Sequence, residues 1–144
     1  MTEYLWLVYA ILSAAAAALV SVFGKIGLQG VDSSTATVVR AVVMALFLIG
    51  VMLVQRSYGH LAEVLANKKA MLFIIISGVA GATSWLFYFM ALKYGKVSQV
   101  APVDKLSVVL ATVIAVVFLG ESISFVGMSG VALITAGIIM VALG

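Results

Sequence analysis

Apolar residues run through this chain in five long blocks separated by short polar interruptions, the pattern of helices that each cross a bilayer. The blocks are Tyr4 to Phe23, Thr35 to Val54, Ala70 to Leu92, Val97 to Leu119 and Phe125 to Leu143, which is 20, 20, 23, 23 and 19 residues. At a rise of about 1.5 Å per residue the longest covers about 35 Å, against a hydrocarbon core of about 30 Å. The expected fold is therefore an all-α integral membrane protein, a single transmembrane domain over residues 1–144 with the lipid bilayer as its surroundings. Met1 to Glu3 is too short for the basic region of a signal peptide, so the first block reads as a retained span with Tyr4, Trp6 and Tyr9 at the interface.

The connectors carry their own signals. Between Gly27 and Ser34, Asp32, Ser33 or Ser34 can cap the second helix. Gln55 to Lys69 is the longest polar segment, and Leu61, Val64 and Leu65 predict a short surface helix within it. His60, in that segment, reads as a solvated loop residue rather than a ligand or proton relay. Lys93 and Lys96 flank a turn around Gly95, and Glu121 marks the membrane edge after the fourth block.

Polar residues inside the blocks are the candidates for function. Asp104 and Lys105 lie about 10–12 Å inside the fourth block, where a charge costs about 3 kcal/mol and should face protein or a water-filled cavity. On a helical wheel Ser98, Asp104, Lys105, Ser107 and Thr112 share one half with Ala101, Val108, Ala111 and Ala115, while Val103, Leu106, Leu110, Val113 and Val117 form the expected lipid side. Asp104 and Lys105 could simply neutralise one another, but adjacent helical residues point about 100° apart, so each is expected to find a partner elsewhere. A substrate path along this face competes with a purely structural ion network. Pro102, the only proline, lies just before the pair.

Arg40 lies about one and a half turns into the second block. Two destinations are open to it: the membrane surface, by snorkelling, or the cavity that holds Asp104. In the third block Ser77, Gly81, Ser84 and Tyr88 recur at helical spacing as a small polar stripe, with Gly78, Ala82 and Trp85 beside it. The aromatic run of Trp85, Phe87, Tyr88 and Phe89 reads either as packing and interface anchoring or as a wall for a ligand. Lys25, at the end of the first block, can snorkel. The fifth block has no charge, and Gly127, Gly130 and Gly137 allow close helix packing, so it reads as an assembly helix.

Composition supports the membrane class, with 65% hydrophobic residues, 9% charged and a mean hydropathy of +1.31. The chain has no cysteine, and its one histidine has no cluster of carboxylates, so no metal site and no cofactor are expected. A net charge of +3 is too diffuse to point to nucleic acid. Enzymatic function has no nucleophile–base pair, phosphate loop or metal constellation behind it.

The loop charges are balanced. Five crossings put Arg56, Lys68 and Lys69 on one side and Lys25, Lys93 and Lys96 on the other, three against three. With no bias to set orientation, dual insertion is expected, the two forms pairing antiparallel into an inverted-repeat assembly; a single orientation set by a subtler signal is the alternative.

The segment ALKYGKVSQVAPVDKLSVVLATVIAVVFLGESIS, Ala91 to Ser124, followed by GVALITAG, Gly130 to Gly137, resembles the second part of an EamA domain of the drug/metabolite transporter superfamily. The resemblance covers nearly the whole chain and is to the half-length, single-repeat members. It implies one five-helix repeat that dimerises, antiparallel in the favoured form, into a ten-helix inverted-repeat transporter, with a cavity built from the earlier helices and the last helix used for packing. A prokaryotic cytoplasmic membrane is the location it implies. The last helix also resembles that of the small multidrug resistance proteins, but their membrane-embedded glutamate in the first helix has no counterpart between Ser13 and Ser21. Their proton/cation-drug mechanism is not carried over.

The function expected is therefore transport of a small molecule by alternating access in a dimer. Arg40, Lys105 and Asp104 give two cations to one anion per protomer, a lean towards anionic or zwitterionic metabolites. Efflux of hydrophobic cations is the alternative, favoured by the aromatic cluster. A membrane subunit without transport activity, pairing with another five-helix chain or packing against a partner, is the alternative from a different class.

Overall fold

The computed structural model describes residues 4–144, so Met1 to Glu3, read above as too short for a signal peptide, lie outside the described residues. The helices are α1 (Leu5–Gly27), α2 (Ser33–Val54), α3 (Leu61–Ala66), α4 (Lys68–Tyr94), α5 (Val97–Asp104), α6 (Leu106–Phe118) and α7 (Phe125–Leu143), and no strand occurs among the described residues. Among the described residues five segments are long and apolar enough to cross a membrane, namely α1, α2, α4, α7 and the stretch Val97–Phe118 formed by α5 and α6. With its apolar side chains outermost, Phe47 and Leu133 among them, the chain is a multi-pass integral membrane protein.

The helix ends follow local chemistry. Asp32 caps α2, its Oδ2 accepting the Thr35 amide at 2.8 Å and the Thr35 hydroxyl at 2.9 Å. Ser124 caps α7 by accepting the Gly127 amide at 3.1 Å. The helices run a few residues past the apolar blocks, α1 to Gly27 and α4 from Lys68 to Tyr94, because their backbone ladders continue through flanking polar residues that reach the interface. Gly120, at φ 69°, lets the chain turn sharply after α6, and the Glu121 amide returns to the Ala115 carbonyl at 3.2 Å. The surface helix expected in the polar segment is α3, preceded by a 3₁₀ turn at Ser57–His60.

The fourth crossing departs from the single continuous helix expected. Pro102 has no amide to return to the Ser98 carbonyl, and the ladder is interrupted two residues beyond Asp104's predecessor, at Lys105. There the Lys105 amide bonds the Pro102 carbonyl at 3.0 Å and the Val108 amide bonds the Lys105 carbonyl at 3.0 Å, the tighter i to i−3 spacing of a 3₁₀ turn.

The chain divides into two compact units, one of Phe23–Lys93 and one of the segment up to Val22 with Tyr94–Gly144. In the second, α7 packs against both α5 and α6. At Gly127 a methyl would come 2.7 Å from Ile123 Cγ1, in the turn that leads into α7, so this glycine makes room for the preceding turn. The same test meets open space at Gly130 and Gly137, so those glycines are not spent on contacts within the chain.

In the unit Phe23–Lys93 the buried side chains gather where the end of α1, the following turn, the start of α2 and the end of α4 come together: Leu28, Ser33, Thr37, Tyr88, Phe89 and Leu92. Leu92 is fully covered. The Lys25 ammonium donates to the Leu92 carbonyl near the end of α4, a cation placed where the helix dipole is negative. Lys25 therefore does not simply snorkel; it ties α1 to α4.

Candidate functional site

The aromatic residues near the end of α4 follow the spacing that brings i, i+3 and i+4 together on one helix face. Trp85, Tyr88 and Phe89 form one cluster, with the Trp85 and Tyr88 rings 5.6 Å apart and nearly perpendicular, and the Trp85 and Phe89 rings 5.8 Å apart. Phe89 is 3% exposed because Gly24 of α1 has no side chain to keep its ring away: a Cβ there would lie 2.5 Å from Phe89 Cε1. Phe87, on another face, is exposed.

Arg40 of α2 lays its guanidinium over this cluster, 3.6 Å from the Trp85 ring centroid and 5.1 Å from that of Phe89. The sequence left two destinations open for this side chain, and the aromatic face was neither of them. A cation–π stack on Trp, worth about 2 kcal/mol where water is excluded, offsets much of the roughly 3 kcal/mol cost of an intramembrane cation. Among the described residues no carboxylate forms an ion pair with Arg40. Stacking uses the face of the guanidinium and leaves its in-plane N–H donors for a carboxylate or phosphate. Arg40 also lines a cavity of about 350 Å³ with Gly24, Gly27, Thr35, Val39 and Phe89. Of the α4 candidates, Trp85 and Tyr88 thus belong to the cluster, whereas Ser77 and Ser84 are exposed and take no part in it.

In the other unit, Asp104 and Lys105 bond each other, Lys105 Nζ to Asp104 Oδ2 at 3.2 Å. This corrects the expectation that each finds a partner elsewhere. The 100° rule holds along an unbroken helix, but Lys105 sits in the interruption after Pro102 and its long stem curls back. Their side chains are 32% and 54% exposed on the chain by itself for Asp104 and Lys105, so no other part of the chain covers the pair fully. Ser98 and Ser107 are exposed; Thr112 is half-buried, donates to the Val108 carbonyl at 2.9 Å and lines a cavity of about 340 Å³ with Ala111, Ala115 and Ile123. His60 is exposed, 3.4 Å from Glu63.

Sequence reasoning placed Phe89 in a possible ligand wall but gave Gly24 no role at a site and did not join either to Arg40. The available signal was a cation within a span, with no acid in that span, in a chain that also carries aromatics at helical spacing; a desolvated guanidinium seeks such a face.

The EamA-like transporter family matches residues 4–143. A relative from Sinorhizobium sp., described as an uncharacterized transporter in the cobO 3′ region, is 39% identical over 137 residues, which is 95% of this chain and 96% of the relative. No solved structure matches the chain.

Proposed function

The chain belongs to the EamA-like transporter family, as a half-length, single-repeat member of the drug/metabolite transporter superfamily, and on that premise we propose that it carries a small anionic or zwitterionic metabolite across the membrane. Family membership points to transport and away from enzymatic chemistry. In this reading the whole chain acts as one repeat, and two chains, inserted antiparallel, build the midplane cavity by which alternating access works. The balanced loop charges and the single repeat support the pairing.

One observation carries the substrate class: Arg40, a cation inside a span, is stacked on Trp85 with its hydrogen-bonding edge unspent and a cavity beside it. A hydrophobic cation would have to displace the guanidinium from that same ring and remain beside it, so the aromatic cluster does not favour cation efflux. Asp104 and Lys105, with Ser98, Ser107 and Thr112, are the remaining candidates for the path, from the other unit.

The test is counterflow in proteoliposomes with radiolabelled carboxylic acids, amino acids and phosphate esters. Wild-type protein accumulates at least one of them, and Arg40→Gln loses that accumulation while keeping its helical content. Undiminished counterflow by Arg40→Gln would remove Arg40 from the mechanism.

A further inference from the structure

Two cavities in the unit Phe23–Lys93 share a wall. The inner one holds Arg40; the outer one, about 520 Å³, lies at the turn between α1 and α2 and against the end of α4, bounded by Lys25, Gln29, Asp32 and Lys93. Leu28 and Val31 line both.

The outer cavity is electropositive. It has two ammonium groups to one carboxylate, and Asp32 already spends Oδ2 on the Thr35 amide and hydroxyl. The Leu92 carbonyl that Lys25 bonds fixes the ammonium in place and leaves its formal charge intact. The inner cavity adds a further cation, Arg40. A net positive charge therefore continues from the helix ends inward, with apolar Leu28 and Val31 between the two stations. A cleft of one sign with low-dielectric walls concentrates counter-ions.

We infer that the outer cavity is a vestibule through which a small soluble molecule bearing a carboxylate or phosphate passes Leu28 and Val31 to reach Arg40; this rests on the reading of Arg40 as the anion-binding group. Lys25 and Lys93 attract the anion at the membrane edge, and Asp32 either excludes a second negative charge or receives the ammonium of a zwitterion. The same chemistry would fit a phospholipid headgroup, and the experiment separates the two.

The chain has no cysteine, so single cysteines report access directly. Gln29→Cys in the outer cavity and Ala36→Cys in the inner one are treated, in phosphatidylcholine liposomes, with anionic sulfonatoethyl or cationic trimethylammonioethyl methanethiosulfonate. Relative to free cysteine, Gln29→Cys should favour the anionic reagent by about tenfold, and adding Lys93→Gln should remove most of that preference. Ala36→Cys should be modified by the anionic reagent, more slowly once Val31→Trp fills the shared wall. The absence of charge preference at Gln29→Cys, a preference indifferent to Lys93→Gln, or Ala36→Cys labelling indifferent to Val31→Trp would each overturn the vestibule. Loss of Gln29→Cys labelling when phosphatidylglycerol is added would also overturn it, assigning the cavity to lipid. The Gln29→Cys preference should persist in Arg40→Gln, so failure of the vestibule and failure of Arg40 in counterflow are read separately.

Discussion

The guanidinium of Arg40 lies 3.6 Å from the centre of the Trp85 ring, joining α2 to α4 within the membrane. The contact needs a planar cation, and lysine supplies only a compact ammonium on a flexible stem. Arg40→Lys should therefore lose about 1–2 kcal/mol of stability in detergent. It should also shift the emission of Trp85, read cleanly in a Trp6→Phe background because Trp6 is the only other tryptophan. Unchanged emission would mean that the stack is not formed in solution.

Gly24 is the seat of the Phe89 ring. Gly24→Ala puts a methyl 2.5 Å from Phe89 Cε1, and the ring, held by Trp85 and Arg40, has little room to retreat. Thermal unfolding should show a loss of about 1–3 kcal/mol, the range for overpacking. Phe89→Leu in the same chain should recover part of it.

Asp104 and Lys105 pair on a partly exposed surface of the chain, which limits what the pair contributes. A double-mutant cycle with Asp104→Asn and Lys105→Met should give a coupling of no more than about 1 kcal/mol. A larger coupling would mean that lipid or a second chain desolvates the pair in the assembled protein.

The Thr35 amide, then its hydroxyl, hold the Asp32 carboxyl below its ordinary value of 3.8, with the charge of Lys93 acting the same way. A carboxyl whose pKa falls on folding contributes its stabilisation above the unfolded value and loses it as pH drops through the folded one. Acid unfolding below about pH 4 should accordingly be steeper for wild-type protein than for Asp32→Asn, which keeps a cap but does not titrate. Asp32→Ala should lose stability at neutral pH as well, as followed by circular dichroism.

Gly137 leaves open space where a side chain would grow, so Gly137→Val should leave the isolated chain folded. If α7 is the surface on which two chains meet, as its small residues suggest, the same substitution should shift cross-linked dimer towards monomer. A dimer fraction unchanged by Gly137→Val would place the interface elsewhere.

The five crossings were legible in the sequence because lipid solvates a segment according to its length and mean polarity, both of which are read residue by residue. Local chemistry was legible for the same reason: a cap for α2 was expected among Asp32, Ser33 and Ser34, of which the structure uses Asp32, and the surface helix at Leu61–Ala66 follows from three apolar positions. The Asp104 and Lys105 pairing was local too, yet it was misread, because regular helical geometry was assumed through a segment that Pro102 interrupts.

What only the tertiary structure decided is which helix faces meet. Lipid tails are as apolar as leucine, so hydropathy carries no instruction about which face turns inward. That Gly24 receives Phe89, that Lys25 reaches the Leu92 carbonyl and that Arg40 finds Trp85 all depend on how closely α1, α2 and α4 approach and how each is rotated. Those contacts join residues far apart in the chain, and the approach of the helices decides which of them form.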